Sequence, residues 1–148
     1  MGKGFAMNIA FFLTPKSEVI YENIESTMRQ VIERMEYHGY TAIPLIDSQG
    51  KYVGTLTEGD ILWKLKNSPE LSFANTQKVR VSDIPRRIKH KSVSINATIE
   101  SLMYLAINQN FVPVVDDDGI FIGIIKRSDI INYCYSALND KAPQENIS

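Results

Sequence analysis

Five punctuating residues of the chain recur at one spacing. Pro44, Asp47, Gly50, Gly54 and Asp60 are each matched 69 residues later, by Pro113, Asp116, Gly119, Gly123 and Asp129. No gap interrupts the run of matches, and chance does not produce such a run. The chain is an internal duplication, with copies centred on residues 40–62 and 111–131. Each copy must then be one structural unit that the other helps to bury.

Each copy reads as a hairpin followed by a helix. Ile43–Ile46 and Val112–Val115 are apolar runs of strand length. Each carries a proline, which cannot donate to a ladder and is expected at a strand start or edge. Asp47-Ser-Gln-Gly50 and Asp116-Asp-Asp-Gly119 are turn chemistry, with Asp to begin and Gly to end. Tyr52–Thr57 and Ile120–Ile125 are the returning strands. Gly54 and Gly123 weaken those strands, so each marks either a bulge or a close approach of other atoms to the backbone. Asp60 and Asp129 open apolar-periodic segments, where a carboxylate suits a helix N-terminus. Helix capping is their plainest role.

The surrounding segments complete two similar halves. Residues 17–21 form a strand candidate. Ser26 or Thr27 caps a helix with a Met28, Val31, Ile32, Met35 stripe, and Gly39 ends it. Ser68-Pro69 breaks the next helix. Residues 68–81 read as a linker anchored by Leu71 and Phe73. Residues 93–95 are a second strand candidate, and Asn96 or Thr98 caps a helix with an Ile99, Leu102, Met103, Ala106 stripe. The expected division is an N-terminal segment 1–13, motifs 14–67 and 82–138 joined by the linker, and a disordered tail 139–148. Phe5–Leu13 reads as a helix or strand packed on the core. Each half is strand–helix–strand–strand–helix, an α/β (α+β) pattern. A half of roughly 55 residues buries too little surface alone, whereas two packed together bury enough.

Composition narrows the function classes. Hydrophobic residues make up 44% of 148, enough for an ordinary core. A net charge of −1 argues against a dominant nucleic-acid or anionic-membrane surface. No apolar run approaches the roughly 20 residues that span a bilayer. Cys134 is the one cysteine, expected as a buried core thiol, and its isolation suggests a reducing, cytoplasmic setting. His38 and His90 are the two histidines and read as loop residues. No Cys-His or Glu-x-x-His spacing is present, so neither a catalytic set nor a metal site is expected. Asp116–Asp118 reads as a solvated hairpin tip before a cation site. The basic run 85–91 reads first as a solvated loop and second as an anion site. Trp63 and Tyr133/Tyr135, on the closing helices, suggest a homodimer interface.

The tandem pattern, Pro-(hydrophobic)2-Asp-x2-Gly and then Gly-(hydrophobic)2-(Thr/Ser)-x2-Asp, resembles a pair of CBS domains, the Bateman module. The resemblance covers Thr14 to Leu138. A looser one, carried by residues 38–44 and 83–86, is to small bacterial CBS proteins that sense cyclic di-AMP. The resemblance implies two motifs related by a pseudo-twofold axis, adenine-nucleotide binding in the clefts between them, a disc-like homodimer and an effector protein as the regulated partner. It implies no cofactor. By this likeness Asp60 and Asp129 would take the ribose hydroxyls, and Thr57 the ribose or phosphate. Adenine would lie against Tyr40, Thr41 and Ala42, with Pro44 closing that stretch, or against Asn110, Phe111 and Val112. The second copy departs from the pattern, with Lys126 where the first has Thr57. Lys126 and Arg127, with Arg86 and Arg87 expected nearby, would favour a highly charged ligand there. Glu58 would oppose one in the first copy. The competing class is an interaction scaffold without a working ligand site.

Overall fold

Two hairpins built alike hold the molecule together at their tips. The computed structural model describes residues 8–141. In chain order its elements are β1 (Thr14–Pro15), β2 (Glu22–Asn23), α1 (Met28–His38), β3 (Ala42–Ile46), β4 (Tyr52–Thr57), α2 (Glu58–Lys66), β5 (Val93–Ser94), α3 (Ile99–Ala106), β6 (Phe111–Val115), β7 (Phe121–Lys126) and α4 (Arg127–Lys141). Short 3-10 turns cover Ile9–Phe12, Lys16–Glu18, Phe73–Lys78 and Val81–Asp83.

The turn chemistry acts as its residue types require. The Asp47 carboxylate accepts from the Gln49 and Lys51 amides at 2.9 and 3.0 Å. Asp116 accepts from Asp118 and Ile120 at 2.8 and 2.9 Å. Gly50 and Gly119 close these turns at φ 83°, a region that favours glycine. The two tips then pair with each other. Phe121 N donates to Gly50 O at 2.9 Å, and Tyr52 N donates to Gly119 O at 3.3 Å. The bonds are related by the same 69-residue step, as a pseudo-twofold axis demands. Around them the Tyr52 ring stacks on buried Phe121.

The sheets have the orders β2-β3-β4 and β1-β7-β6-β5. In each, the parallel partner of the first hairpin strand is a two-residue strand ahead of a capped helix. Thr27 and Gln30 form a capping box on α1, and Thr98 accepts from Ser101 N on α3. Gly39 ends α1 in the left-handed conformation at φ 71°. The prolines lie on central strands, not on edges. β2 pairs only with Leu45 and Ile46, and β5 only with Val114 and Val115, so Pro44 and Pro113 lie beyond the reach of those short partners.

The lead-in segments are exchanged. Residues 9–15 precede the first motif but join the second: Ile9 and Phe12 sit in the core of Val112, Val114 and Ile125, and β1 pairs with β7. Residues 79–84 precede the second motif but join the first: Val81 and Ile84 sit in the core of Met28, Val31 and Leu56. Val79 O accepts from Met28 N at 2.7 Å, and Val81 N donates to Ser26 O at 2.8 Å. Both glycines of the second hairpin strands serve this exchange. A Cβ on Gly54 would stand 2.5 Å from Arg86 Nε, and one on Gly123 would meet the Thr14 carbonyl and lie 2.9 Å from Leu13 Cδ1. The bulge is present as well, between Leu45 and Ile46 and between Val114 and Val115.

Several sequence expectations change. The strand expected over 17–21 is instead β1 and β2 on either side of a 3-10 turn, because residues 14–15 are recruited by β7. The linker is partly ordered, with Thr76 buried, while Phe73 is exposed and anchors nothing. Met103 is exposed, since α3 buries only Leu102 and Ala106. Cys134 is exposed because α4 is anchored through its first turn, at Ile130, and leaves its later turns uncovered. Helix α4 runs on to Lys141, and the rest of the tail, 142–148, lies outside the described residues, as does the start of the N-terminal segment. No helix among the described residues is long and apolar enough to cross a membrane.

The two close approaches differ in what can yield. At Gly123 the obstacle is main chain, and at Gly54 it is a flexible guanidinium. Gly123→Ala should therefore destabilise by about 1–3 kcal/mol, the usual cost of overpacking, and Gly54→Ala by clearly less. Urea midpoints measure both, and equal midpoints would contradict the exchanged-arm packing.

Candidate functional site

Between the halves lies a cavity of ≈ 270 Å³ lined by Thr41, Ala42, Thr57, Glu58, Gly59, His90, Asn108, Asn110 and Phe111. The duplication positions its walls. Glu58 N donates to Thr41 O at 3.0 Å, and Arg127 N donates to Asn110 O at 2.8 Å. Each bond ties the start of a closing helix to the residue just ahead of its hairpin. The strand starts of both halves are thereby brought to one cleft, with the N-terminal turn of α2 at its edge. That turn carries partial positive charge.

Thr57 and Asp60 form a complete capping box on α2. Thr57 Oγ1 accepts from Asp60 N at 3.2 Å, and Asp60 Oδ2 accepts from Thr57 N at 2.9 Å. The second carboxylate oxygen, Oδ1, accepts from Arg87 N at 3.0 Å. Asp60 is only 3% exposed, and both of its oxygens are satisfied by main-chain amides. It thus pins the exchanged arm to the first motif. Beside it the Arg87 guanidinium lies 5.3 Å from the centroid of the Trp63 ring, a cation–π contact.

The second copy is built differently at the same positions. Lys126 is exposed at the end of β7 and has no hydroxyl with which to cap α4. Arg127 turns back onto α3, donating from Nε to Ala106 O at 2.7 Å and from Nη2 to Ile107 O at 3.5 Å. Those groups serve the C-terminus of α3, where a cation is favoured. Asp129 is half-buried and lines a separate shallow pocket with Phe11, Phe12, Thr14 and Tyr133. Arg86 and Arg87 are not beside Asp129. They stand on the first motif, where Arg86 Nη2 donates to Val53 O at 3.3 Å, because the arm that carries them packs there.

The remaining expected residues divide between wall and support. Thr41, Ala42, Asn110 and Phe111 line the cleft. Pro44 and Val112 are buried within their strands, and Tyr40 stacks on His38 beside a neighbouring pocket. His90, Asn108 and Gly59 line the cleft without having been singled out for it. The signal for His90 was its place in the basic run, read first as a solvated loop. Tyr52 also serves the wall: its hydroxyl lies 2.8 Å from Thr55 Oγ1 and donates to His90 O at 3.3 Å. Burial raises the Tyr52 pKa above its usual value, with Thr55 and Arg86 opposing the shift. Among the described residues no cluster of His, Cys, Asp and Glu is arranged to hold a metal ion.

The CBS-domain family model matches residues 12–67 and again residues 81–136, one match to each half. The chain belongs to the CBS-domain family. It is similar to a CBS domain-containing protein of Dictyostelium discoideum, 23% identical over 128 residues that cover 82% of this chain and 88% of that protein. It is similar to cyclic di-AMP receptor B of Bacillus subtilis (strain 168), 24% identical over 125 residues and 81% of each chain. Among solved structures, CbpB in complex with c-di-AMP superposes with a TM-score of 0.81 at 24% identity, covering 91% of this chain and 89% of that one. At that identity the likeness establishes the fold. A CBS pair of this kind is a regulatory ligand-binding module and not a catalytic one. The cavity described above lies where its two motifs meet.

Proposed function

We propose that this CBS pair is a cytoplasmic sensor of an adenine nucleotide, holding it in the cleft between its motifs and signalling occupancy to an effector protein. The observation that carries this reading is the cavity lined by both motifs. Its wall offers main chain at Thr41–Ala42 and Asn110–Phe111, the Thr57 hydroxyl and the first turn of α2. Polar side chains dominate the wall, with Ala42 and the Phe111 ring as its apolar faces, a lining that suits a polar ligand with one flat apolar group. Asp60 is not itself among the lining residues; in this reading it becomes the ribose acceptor once Arg87 N gives up Oδ1. Its carboxylate is held by the Thr57 and Arg87 amides, so ribose hydroxyls compete with Arg87 N for Oδ1. Occupancy is thereby linked to the arm that joins the motifs. No cofactor or metal enters the reading.

The second reading is a cyclic di-AMP receptor. The Bacillus subtilis relative and the CbpB complex favour it. A cavity of ≈ 270 Å³ is at the small end of ligand sites, which start near ~300 Å³. It suits one nucleoside, so a cyclic dinucleotide would extend beyond this cleft.

The exposed apolar residues support a homodimer. Leu62 and Trp63 on α2, and Ile131, Tyr135 and Leu138 on α4, leave aromatic and aliphatic surface uncovered. Such surface on a soluble chain marks an interface. Light scattering at tens of micromolar should return twice 16.8 kDa, and a monomer mass would reject the dimer.

Calorimetry with AMP, ADP, ATP and cyclic di-AMP tests the ligand. At least one should bind, and Asp60→Ala should weaken it by roughly 1.5–3 kcal/mol, the range for a charged hydrogen bond. Failure of all four to bind would leave the scaffold reading, and an Asp60→Ala variant that binds like wild type would remove the ribose role.

A further inference from the structure

His90 is the residue on the cleft wall whose chemistry is unused. Its main chain is firmly placed. His90 O accepts from the Tyr52 hydroxyl at 3.3 Å. The next residue, Lys91, is clasped by the buried side chain of Gln109, which accepts from Lys91 N at 2.8 Å and donates to Lys91 O at 3.0 Å. The imidazole itself has no such support. Nδ1 is buried with no hydrogen-bond partner, and neither ring nitrogen bonds to another group among the described residues. A buried polar atom left unpaired costs about 1–3 kcal/mol. Such an atom is rare in a folded protein and calls for a partner, be it a ligand, an ion or a water.

The cavity supplies the place for one. Of its lining residues only Glu58 and His90 are ionisable, and the rest are neutral amides, hydroxyls, main chain and the Phe111 ring. Among the described residues no lysine or arginine lines it to balance the charge of a polyphosphate. We infer that His90 is a specificity-determining ligand contact of this cleft, hydrogen-bonding through its imidazole to an uncharged, nucleoside-type group, and that Glu58 turns away more highly phosphorylated ligands. Discrimination then arises from both an attractive and a repulsive element. This inference rests on the nucleotide reading above and adds to it the residue that reads the ligand and the charge class it selects.

The test uses AMP and ATP as probes on the full chain, with His90→Phe and His90→Asn. Phenylalanine keeps the ring and removes both nitrogens, whereas asparagine returns a polar atom near Nδ1. AMP should bind wild type more tightly than ATP. His90→Phe should weaken AMP about tenfold, the equivalent of one hydrogen bond of ~1.4 kcal/mol, and His90→Asn should recover most of the loss. The ligand-free melting temperature of His90→Phe should not fall, because no protein partner is lost. Should either variant fold poorly, the ring-nitrogen resonances of wild-type His90 provide the second readout and should shift when AMP is added. Unchanged AMP affinity in His90→Phe, or unmoved ring resonances under saturating AMP, would overturn the assignment of His90 and leave the nucleotide reading standing. Tighter binding of ATP than of AMP would overturn the charge selection. If wild type binds neither AMP, ATP nor cyclic di-AMP, the nucleotide reading fails and the role of His90 fails with it.

Discussion

The approach of each arm onto a glycine of the opposite sheet is the contact on which the rest of the molecule depends. The Thr14 main chain lies over Gly123, and Arg86 lies over Gly54. Without those approaches Ile9 and Phe12 could not reach the second core, nor Val81 and Ile84 the first. Neither half would then have a complete core. Because each arm belongs by sequence to the other half, every residue it buries also fastens the two motifs together. The paired hairpin tips fix their relative rotation. The cleft is a consequence of this arrangement, since one of its walls is the end of an arm.

Duplication gives the scaffold symmetry, and a few substitutions remove it at the sites. The arm residues Arg87 and Lys16 are equivalent, as the helix caps Thr27 and Thr98 show by the same 71-residue step. Arg87 stacks on Trp63 and gives its amide to Asp60. Lys16 lies instead over Tyr21. Thr57 caps its helix, and Lys126 cannot. The first motif therefore has a pinned, fully bonded aspartate, and the second has a half-buried one on a different pocket. Charge follows the arms as well. Arg86 and Arg87 pack on the first motif, so the second copy is less basic in its surroundings than its own Lys126 and Arg127 suggest.

Much of this was legible in the residues. The hairpins, their Asp-to-Gly turns and the closing helices follow from local chemistry, which acts within a few residues and is the same in both copies. Gly54 and Gly123 announced an unusual approach, but not what approached. The exchange of arms was not legible, because nothing local tells residues 9–15 or 79–87 which half to join. Two misplacements descend from that. Arg86 and Arg87 were expected beside Asp129, and the strand expected over 17–21 left no place for β1 at 14–15, which pairs across to β7. Cys134 failed for a different reason: an apolar neighbourhood in sequence becomes a core only where another element covers the helix, and none of the described residues covers the later turns of α4.

The central claim is that the exchanged arms make the two motifs one cooperative unit, and equilibrium unfolding tests it directly. Trp63, the only tryptophan, reports on the first motif. A fluorophore on the exposed thiol of Cys134 reports on the second. The account predicts that both signals lose their native values at the same urea concentration and with the same slope. Two separated transitions, with one motif remaining folded after the other has melted, would contradict it.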